Sequence, residues 1–277
     1  MKRTGLFPRL YLILILVVMY LPILLVILYS FNAGRLSSVW EGFSLHWYQL
    51  LFRDADIFQA LKNSLVLAFL TCLAAAVIGT LGAVGMQRLE SRTTAPMEYL
   101  STLPIMIPEI ILGMVFMAFF SLLGLPFGMT TLVIGHTALC IPSVFMLVKA
   151  RLVGLDKTLA EAARDLGANE AHVFFDITLP LVVPAILSGM LLSFAMSMDD
   201  VIISIFVTGV NVNTLPIKIY SQIKFGVTPE INALCTLMLA ATVVLVLLSD
   251  LIGRPRKRKG SRYKRLLKPE RKQEVIQ

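Results

Sequence analysis

The sequence predicts an all-α integral membrane fold with six transmembrane helices, on three observations. The 277 residues are 57% hydrophobic and only 15% charged, with a mean hydropathy of +0.81, which is too apolar for an ordinary soluble domain. Six apolar stretches are each long enough to cross a hydrocarbon core of about 30 Å at about 1.5 Å per helical residue. Lys and Arg are rich in alternate connecting segments and sparse in the others, as the positive-inside rule requires. Closed helices satisfy their own backbone groups, which lipid demands.

The first span covers 10–31. It is longer than the apolar core of a secretory leader and lacks a small-x-small cleavage pattern before Phe31, so it is expected to be retained. The outer loop 32–62 carries Trp40, Trp47 and Tyr48. Aromatic rings with one polar end favour the headgroup zone, so 45–52 is expected to lie along the interface. In the second span, 63–86, Ala75, Gly79 and Ala83 recur every four residues and form a seam on which another helix can pack closely. The run Gly79-x-x-Gly82-x-x-Gly85 is no nucleotide loop, because it follows no strand and lies inside a span. The third span, 97–123, holds Pro104, Pro108 and the acid Glu109; the fourth, 130–148, holds His136 and Pro142. The fifth, 180–207, opens on Pro180 and Pro184 and carries Asp199 and Asp200, and the sixth is 232–252. Each proline removes a backbone donor and can kink or break its helix. No repeat of 20 to 50 residues and no Gly/Ser linker divides the chain, so residues 1–277 are read as a single transmembrane domain.

Orientation follows from charge. With the N-terminus inside, 20 of the 25 Lys and Arg residues fall on the cytoplasmic side and 5 outside. Both termini, the loop 149–179 and the basic tail 254–277 are therefore expected in the cytoplasm. The tail carries 11 of these residues, so the net charge of +8 marks a lipid-facing juxtamembrane segment, at about 1 kcal/mol per basic residue, rather than a nucleic-acid surface. Cys72, Cys140 and Cys235 are odd in number and embedded in apolar sequence, which suggests neither disulfides nor a metal site.

The cytoplasmic loop has its own local code. Thr158 followed by Glu161 is a capping-box spacing, and Gly167 is placed to end a short helix in a left-handed turn. Leu159, Ala162, Ala163 and Leu166 then share one face. So short a helix is not stable alone in water, so it must pack either on its own spans or on another protein. Within the spans, Glu109, Asp199 and Asp200 have no Lys or Arg at similar depth. An ionised carboxylate there costs about 3 kcal/mol, so these acids imply a hydrated path suited to a cationic solute. The other reading is that Asp199 or Asp200 caps a helix end or pairs with His136. No Gly-x-x-x-x-Gly-Lys-Ser/Thr loop and no nucleophile with a base is evident, so neither ATP hydrolysis nor membrane-enzyme chemistry is expected of this chain.

Glu161-Ala162-Ala163, three residues, Gly167, nine residues and Ile177-x-Leu179-Pro180 form a spaced signature of seven fixed positions that resembles the cytoplasmic loop of permeases of bacterial ABC importers. Ser30-Phe31-Asn32, Trp40-x-Gly42-Phe43, Met198-Asp199-Asp200, Phe206-Val207-Thr208-Gly209 and Pro229-Glu230-Ile231-Asn232 are similar to the permeases of the spermidine/putrescine importer, in particular to the second permease of that system. The resemblance implies a type I importer fold in the bacterial inner membrane, and a heterodimer with a second permease. It also implies two ATP-binding subunits, which would carry ATP and Mg while this chain binds no cofactor, and an extracytoplasmic polyamine-binding protein. By the same resemblance Glu161, Ala162, Ala163, Leu166 and Gly167 couple to the ATPase, while Glu109, Asp199, Asp200 and His136 line the substrate pathway. Where the family commonly has Asp after the third-span proline, this chain has Glu109, a longer reach with the same charge. Permeases for other organic cations or aminophosphonates share the scaffold. A gradient-driven carrier or a cation channel could use similar acids, but neither needs the Glu-Ala-Ala loop.

Overall fold

The computed structural model describes residues 6–35, 39–87, 91–156, 158–224, 226 and 228–253; the predicted basic tail lies outside them. Helices α1 (Leu6–Tyr29), α2 (His46–Leu51), α3 (Ala55–Met86), α4 (Ser91–Met106), α5 (Glu109–Leu122) and α6 (Met129–Val153) lead to the short helices α7 (Thr158–Asp165) and α8 (Glu170–His172). A π-helical turn, Val173–Thr178, runs into α9 (Leu179–Asp199), and α10 (Ile202–Val207), α11 (Leu215–Ile223) and α12 (Pro229–Gly253) follow. Among the described residues four helices are long and apolar enough to cross a membrane, or five if α4 and α5 count as one bent span.

The predicted spans need correction at several ends. The third is not continuous: its two halves meet at 102° around Ile107 and Pro108. Pro108 has no amide hydrogen to extend α4 and adopts φ −55 and ψ 130 as the residue before α5. The fifth breaks after Asp199, because Asp200 is extended at φ −67 and ψ 122. At its other end it starts earlier than expected, since Glu170–Asp199 is one apolar helical run that includes the π turn. Leu179's amide bonds the Phe174 carbonyl five residues back, and the missing amide of Pro180 follows at once. The second span begins at Ala55, capped by Asp54, whose carboxylate accepts the Asp56 and Ile57 amides. The predicted sixth span, 232–252, lies within α12, Pro229–Gly253, whose stretch Pro229–Ala240 is apolar.

The centre of the molecule is α3, α6 and α9 packed on one another. Lipid supplies no hydrophobic drive between helices, so close van der Waals contact must hold them. Ala75 and Ala83 are fully buried at this seam, and Gly79 meets Val144 of α6 from one side while Gly189 of α9 meets it from the other. Here the predicted small-residue seam is present. A second apolar cluster joins Leu67, Leu112, Leu132, Leu139, Ile203 and Val207, bringing α5 and α10 onto α3 and α6. Gly113 is the close-approach point, since a Cβ there would lie 2.6 Å from the Phe206 ring.

The loop between α1 and α3 is folded onto itself rather than held by interfacial anchoring alone. Trp47 donates its indole N–H to the Asn32 carbonyl at 2.9 Å, Tyr48 bonds the Ser30 hydroxyl at 2.7 Å, and Phe31 stacks on Phe43. Leu51 of α2 is buried against Ile57, Ala60, Leu215 and Leu234. By contrast α1 packs along α12 and keeps its apolar side chains exposed, as a lipid-facing helix does.

Candidate functional site

The loop 149–179, expected to be cytoplasmic, is built between the ends of α6 and α9. Arg151 near the end of α6 donates its Nε–H to the Leu181 carbonyl of α9 at 3.1 Å, so the loop leaves and returns at adjacent points. Its helix α7 starts differently from the expected capping box. Thr158 is already the first helical residue, and its amide donates to Asp156 Oδ1 at 3.0 Å. The acceptor is therefore a carboxylate two residues upstream, where it also suits the positive end of the helix. The Thr158 amide and hydroxyl hold the Asp156 carboxyl below its ordinary range. The other end is as expected. Gly167 has φ +88, its amide bonds the Arg164 carbonyl at 2.9 Å, and the Ala168 amide bonds the Ala163 carbonyl at 3.0 Å, a Schellman closure.

No residue of α7 is buried. Leu166 is 89% exposed, whereas Leu159 is 50% exposed and lines, with Val84, Leu152 and Leu181, the groove between α7 and the spans. Arg164 grips Glu170 at 2.6 Å, which joins α7 to α8 across the turn and supports the guanidinium charge. Beneath the helix lies a groove of about 520 Å³ lined by Leu152, Glu161, Arg164, Val173 and Ile177 among others. Glu161 and Ile177, sixteen positions apart, thus share one wall, and Leu179 packs on the cluster of Val144, Val148 and Leu152. The arrangement is a short helix, closed at both ends and lying over a groove whose base is the helix core.

The intramembrane acids divide into two kinds. Glu109, Asp199 and Asp200 line one cleft of about 380 Å³ with Leu139, Met196, Val201 and Ile202. Glu109 is the first residue of α5, where the helix dipole favours a negative charge, and it is exposed. Asp199 ends α9 and is also exposed. Asp200 is not: its side chain is 3% accessible, and Oδ2 accepts the Ser204 amide and hydroxyl, both at 2.9 Å, while Oδ1 accepts the Ile203 amide at 3.3 Å. His136 of α6 lies 3.2 Å from Asp200 Oδ2 and is itself fully buried. The cap-and-pair arrangement therefore holds for Asp200, and Asp199 and Glu109 remain open to the cleft.

Sequence reading missed Ser197 and Ser204, which bond the two ring nitrogens of His136 at 2.9 Å each. The available signal was their spacing around Asp200, three residues before and four after. Among the aromatic residues, Phe116 stacks on Phe120, and the Tyr220 ring faces Lys224 Nζ at 5.0 Å.

Residues 75–255 match the family described as binding-protein-dependent transport system inner membrane component. The spermidine/putrescine transport system permease protein PotC of Escherichia coli K12 is 41% identical over 243 residues, covering 88% of this chain and 92% of that protein. PotC of Haemophilus influenzae is 39% identical over 236 residues, covering 85% and 92%. The putrescine transport system permease protein PotI of E. coli K12 is 40% identical over 234 residues, covering 82% and 83%. Among solved structures, a bacterial ABC transporter that imports the acidic polysaccharide alginate superposes with a TM-score of 0.74 at 17% identity, covering 91% of this chain and 96% of that one. At that identity the likeness speaks for the fold alone.

Proposed function

The chain belongs to the family of binding-protein-dependent transport system inner membrane components, and from that membership we propose that it is the permease subunit of an ATP-driven importer of spermidine or putrescine. The observation that carries the reading is identity of about two residues in five to three polyamine permeases over more than four fifths of each chain. The cleft supports it: two exposed carboxylates, Glu109 and Asp199, border one space within an apolar helix bundle, a setting that favours a flexible polycation over a neutral or anionic solute.

In this reading the membrane-embedded chain pairs with a second permease, and an extracytoplasmic binding protein delivers polyamine to its outer loops. The loop 149–179 and both termini lie in the cytoplasm. There α7 enters a cleft on one of two ATP-binding subunits, which hold ATP and Mg and perform the hydrolysis. Leu159 and Leu166 supply the apolar contact and Glu161 the polar one, with Ala162 and Ala163 permitting close approach. Closure of the ATPase pair then moves α7, and the Arg151–Leu181 tie and Leu179 pass the movement to α6 and α9. Movement of α9 changes access to Asp199.

The test is ATP hydrolysis by the reconstituted assembly with binding protein loaded with putrescine, with spermidine or with neither. Stimulation by the loaded forms is expected. Equal hydrolysis with and without polyamine, or stimulation only by an unrelated organic cation, would refute the assignment of substrate.

A further inference from the structure

We propose that His136, Asp200, Ser197 and Ser204 form a buried latch that fixes the break between α9 and α10 and thereby aims Asp199 into the cleft. Solute is met by Asp199 and Glu109, while His136 and Asp200 are positioning residues that solute never touches. The idea deepens the proposed transport path, but its geometry stands apart from it.

The break needs a holder. After Asp199 the chain leaves helical geometry for one extended residue, then re-enters it at Ile202. The first amides of α10 have no partner within that short helix, and the Asp200 carboxylate takes those of Ile203 and Ser204. A cap of this kind fixes α10 against Asp200 but does not fix α9 against α10. The imidazole of His136 does, because one ring reaches both sides: Nδ1 meets Ser197, most of a turn before the break, and Nε2 meets Ser204 and Asp200 beyond it.

The protons can be placed without conflict. The Ser204 hydroxyl donates to Asp200 Oδ2, so its oxygen is left to accept from His136 Nε2–H, and Nδ1 accepts the Ser197 hydroxyl proton. Every polar side-chain atom at the junction then has a partner at near-zero exposure, in surroundings where losing one partner is costly. Asp200 Oδ2 already faces three protein groups, which leaves it little capacity for an amine from outside. Asp199 is next in the chain, so the dihedrals at the break decide where its carboxylate points. A latch from α6 across that break therefore sets the charge opposite Glu109.

The experiment reads the position of residue 199 directly, with no need for transport. In the assembled transporter, Cys72, Cys140 and Cys235 are replaced by Ser, and Asp199→Cys is labelled with a cationic methanethiosulfonate. Its rate is divided by that of Val210→Cys, a fully exposed outer position, so that yield and reagent access cancel. Adding His136→Ala should lower the ratio about tenfold, the scale set by leaving the buried Ser197 and Ser204 hydroxyls without their partner. His136→Gln, which can donate to the Ser204 oxygen and accept from Ser197, should restore it to within about twofold. Should the alanine form fail to insert, His136→Phe fills the same space without nitrogens and should give the same loss. An unchanged ratio in the Ala or Phe form overturns the latch, and so does a Gln form no better than Phe. Either outcome leaves the polyamine reading standing, since that is judged by transport.

Discussion

Gly79 of α3 lies directly against Val144 of α6: a methyl group added at Gly79 would sit 2.9 Å from Val144 Cβ and 3.1 Å from the Ile141 carbonyl oxygen. Two of the three nearest atoms are backbone, so they cannot turn aside. Gly79→Val should therefore weaken folding by about 1–3 kcal/mol, the usual cost of overpacking. Gly85→Ala, with nothing within 4 Å of its added carbon, should be neutral or slightly stabilising. Unfolding midpoints in detergent check both; equal effects at the two sites would contradict this packing.

The lever can be tested at its two ends. Gly167 has open space around a would-be Cβ, so substitution there costs only backbone strain from φ +88. Gly167→Asn should retain much of the transport and Gly167→Val should lose most of it, while Glu161→Ala, at an exposed position bordering the groove, should cut transport-coupled ATP hydrolysis by at least about tenfold. Membrane insertion should be normal in all three. Full coupling in both Glu161→Ala and Gly167→Val would remove this helix from the transmission path.

The Asp156 carboxylate caps α7, and its folded pKa lies below the ordinary value of 3.8. A lowered carboxyl pKa contributes stability above the unfolded value and loses it as pH falls through the folded one. The cap should therefore be constant from pH 5 to 8 (roughly the range of assay) and fail only in strong acid. Asp156→Ala should lower coupling across that whole range, and Asp156→Asn should preserve it. A coupling loss that appears only on the acid side of neutrality would point to another group.

In the cleft, Glu109→Gln and Asp199→Asn should each raise the polyamine concentration for half-maximal uptake about tenfold, since each removes one charge-assisted contact. Asp200→Asn keeps one acceptor oxygen, for the Ser204 or the Ile203 amide but not both, and leaves the cleft carboxylates in place, so its effect should fall on maximal rate more than on half-saturation. Uptake kinetics of the three variants separate these cases, and unchanged half-saturation in both Glu109→Gln and Asp199→Asn would take them out of the pathway.

What the sequence disclosed depended on whether the cause was local. The Ala75, Gly79 and Ala83 seam is a four-residue rhythm, and Gly167 answers to a turn that only a few residues define, so both were legible. The Thr158 cap was misplaced because Asp156, two residues further upstream, competes for the same amide with a charge. The third-span break could be suspected from Pro104 and Pro108 but not located, because Pro104 sits inside α4 without ending it while Pro108 begins a new direction. Asp199 and Asp200 are neighbours with the same side chain, and only the fold separates them. His136 is 61 residues from Ser197 and 68 from Ser204, and no periodicity connects positions that far apart.

The most direct measurement is uptake of labelled putrescine and spermidine into proteoliposomes holding this chain, its partner permease and the ATP-binding subunits, with loaded binding protein outside. Polyamine should accumulate only when ATP is enclosed with the ATPase side, and Glu161→Ala should stop it even with ATP present. Accumulation that proceeds without ATP, or that follows an imposed ion gradient in the absence of the ATP-binding subunits, would contradict an ATP-driven permease.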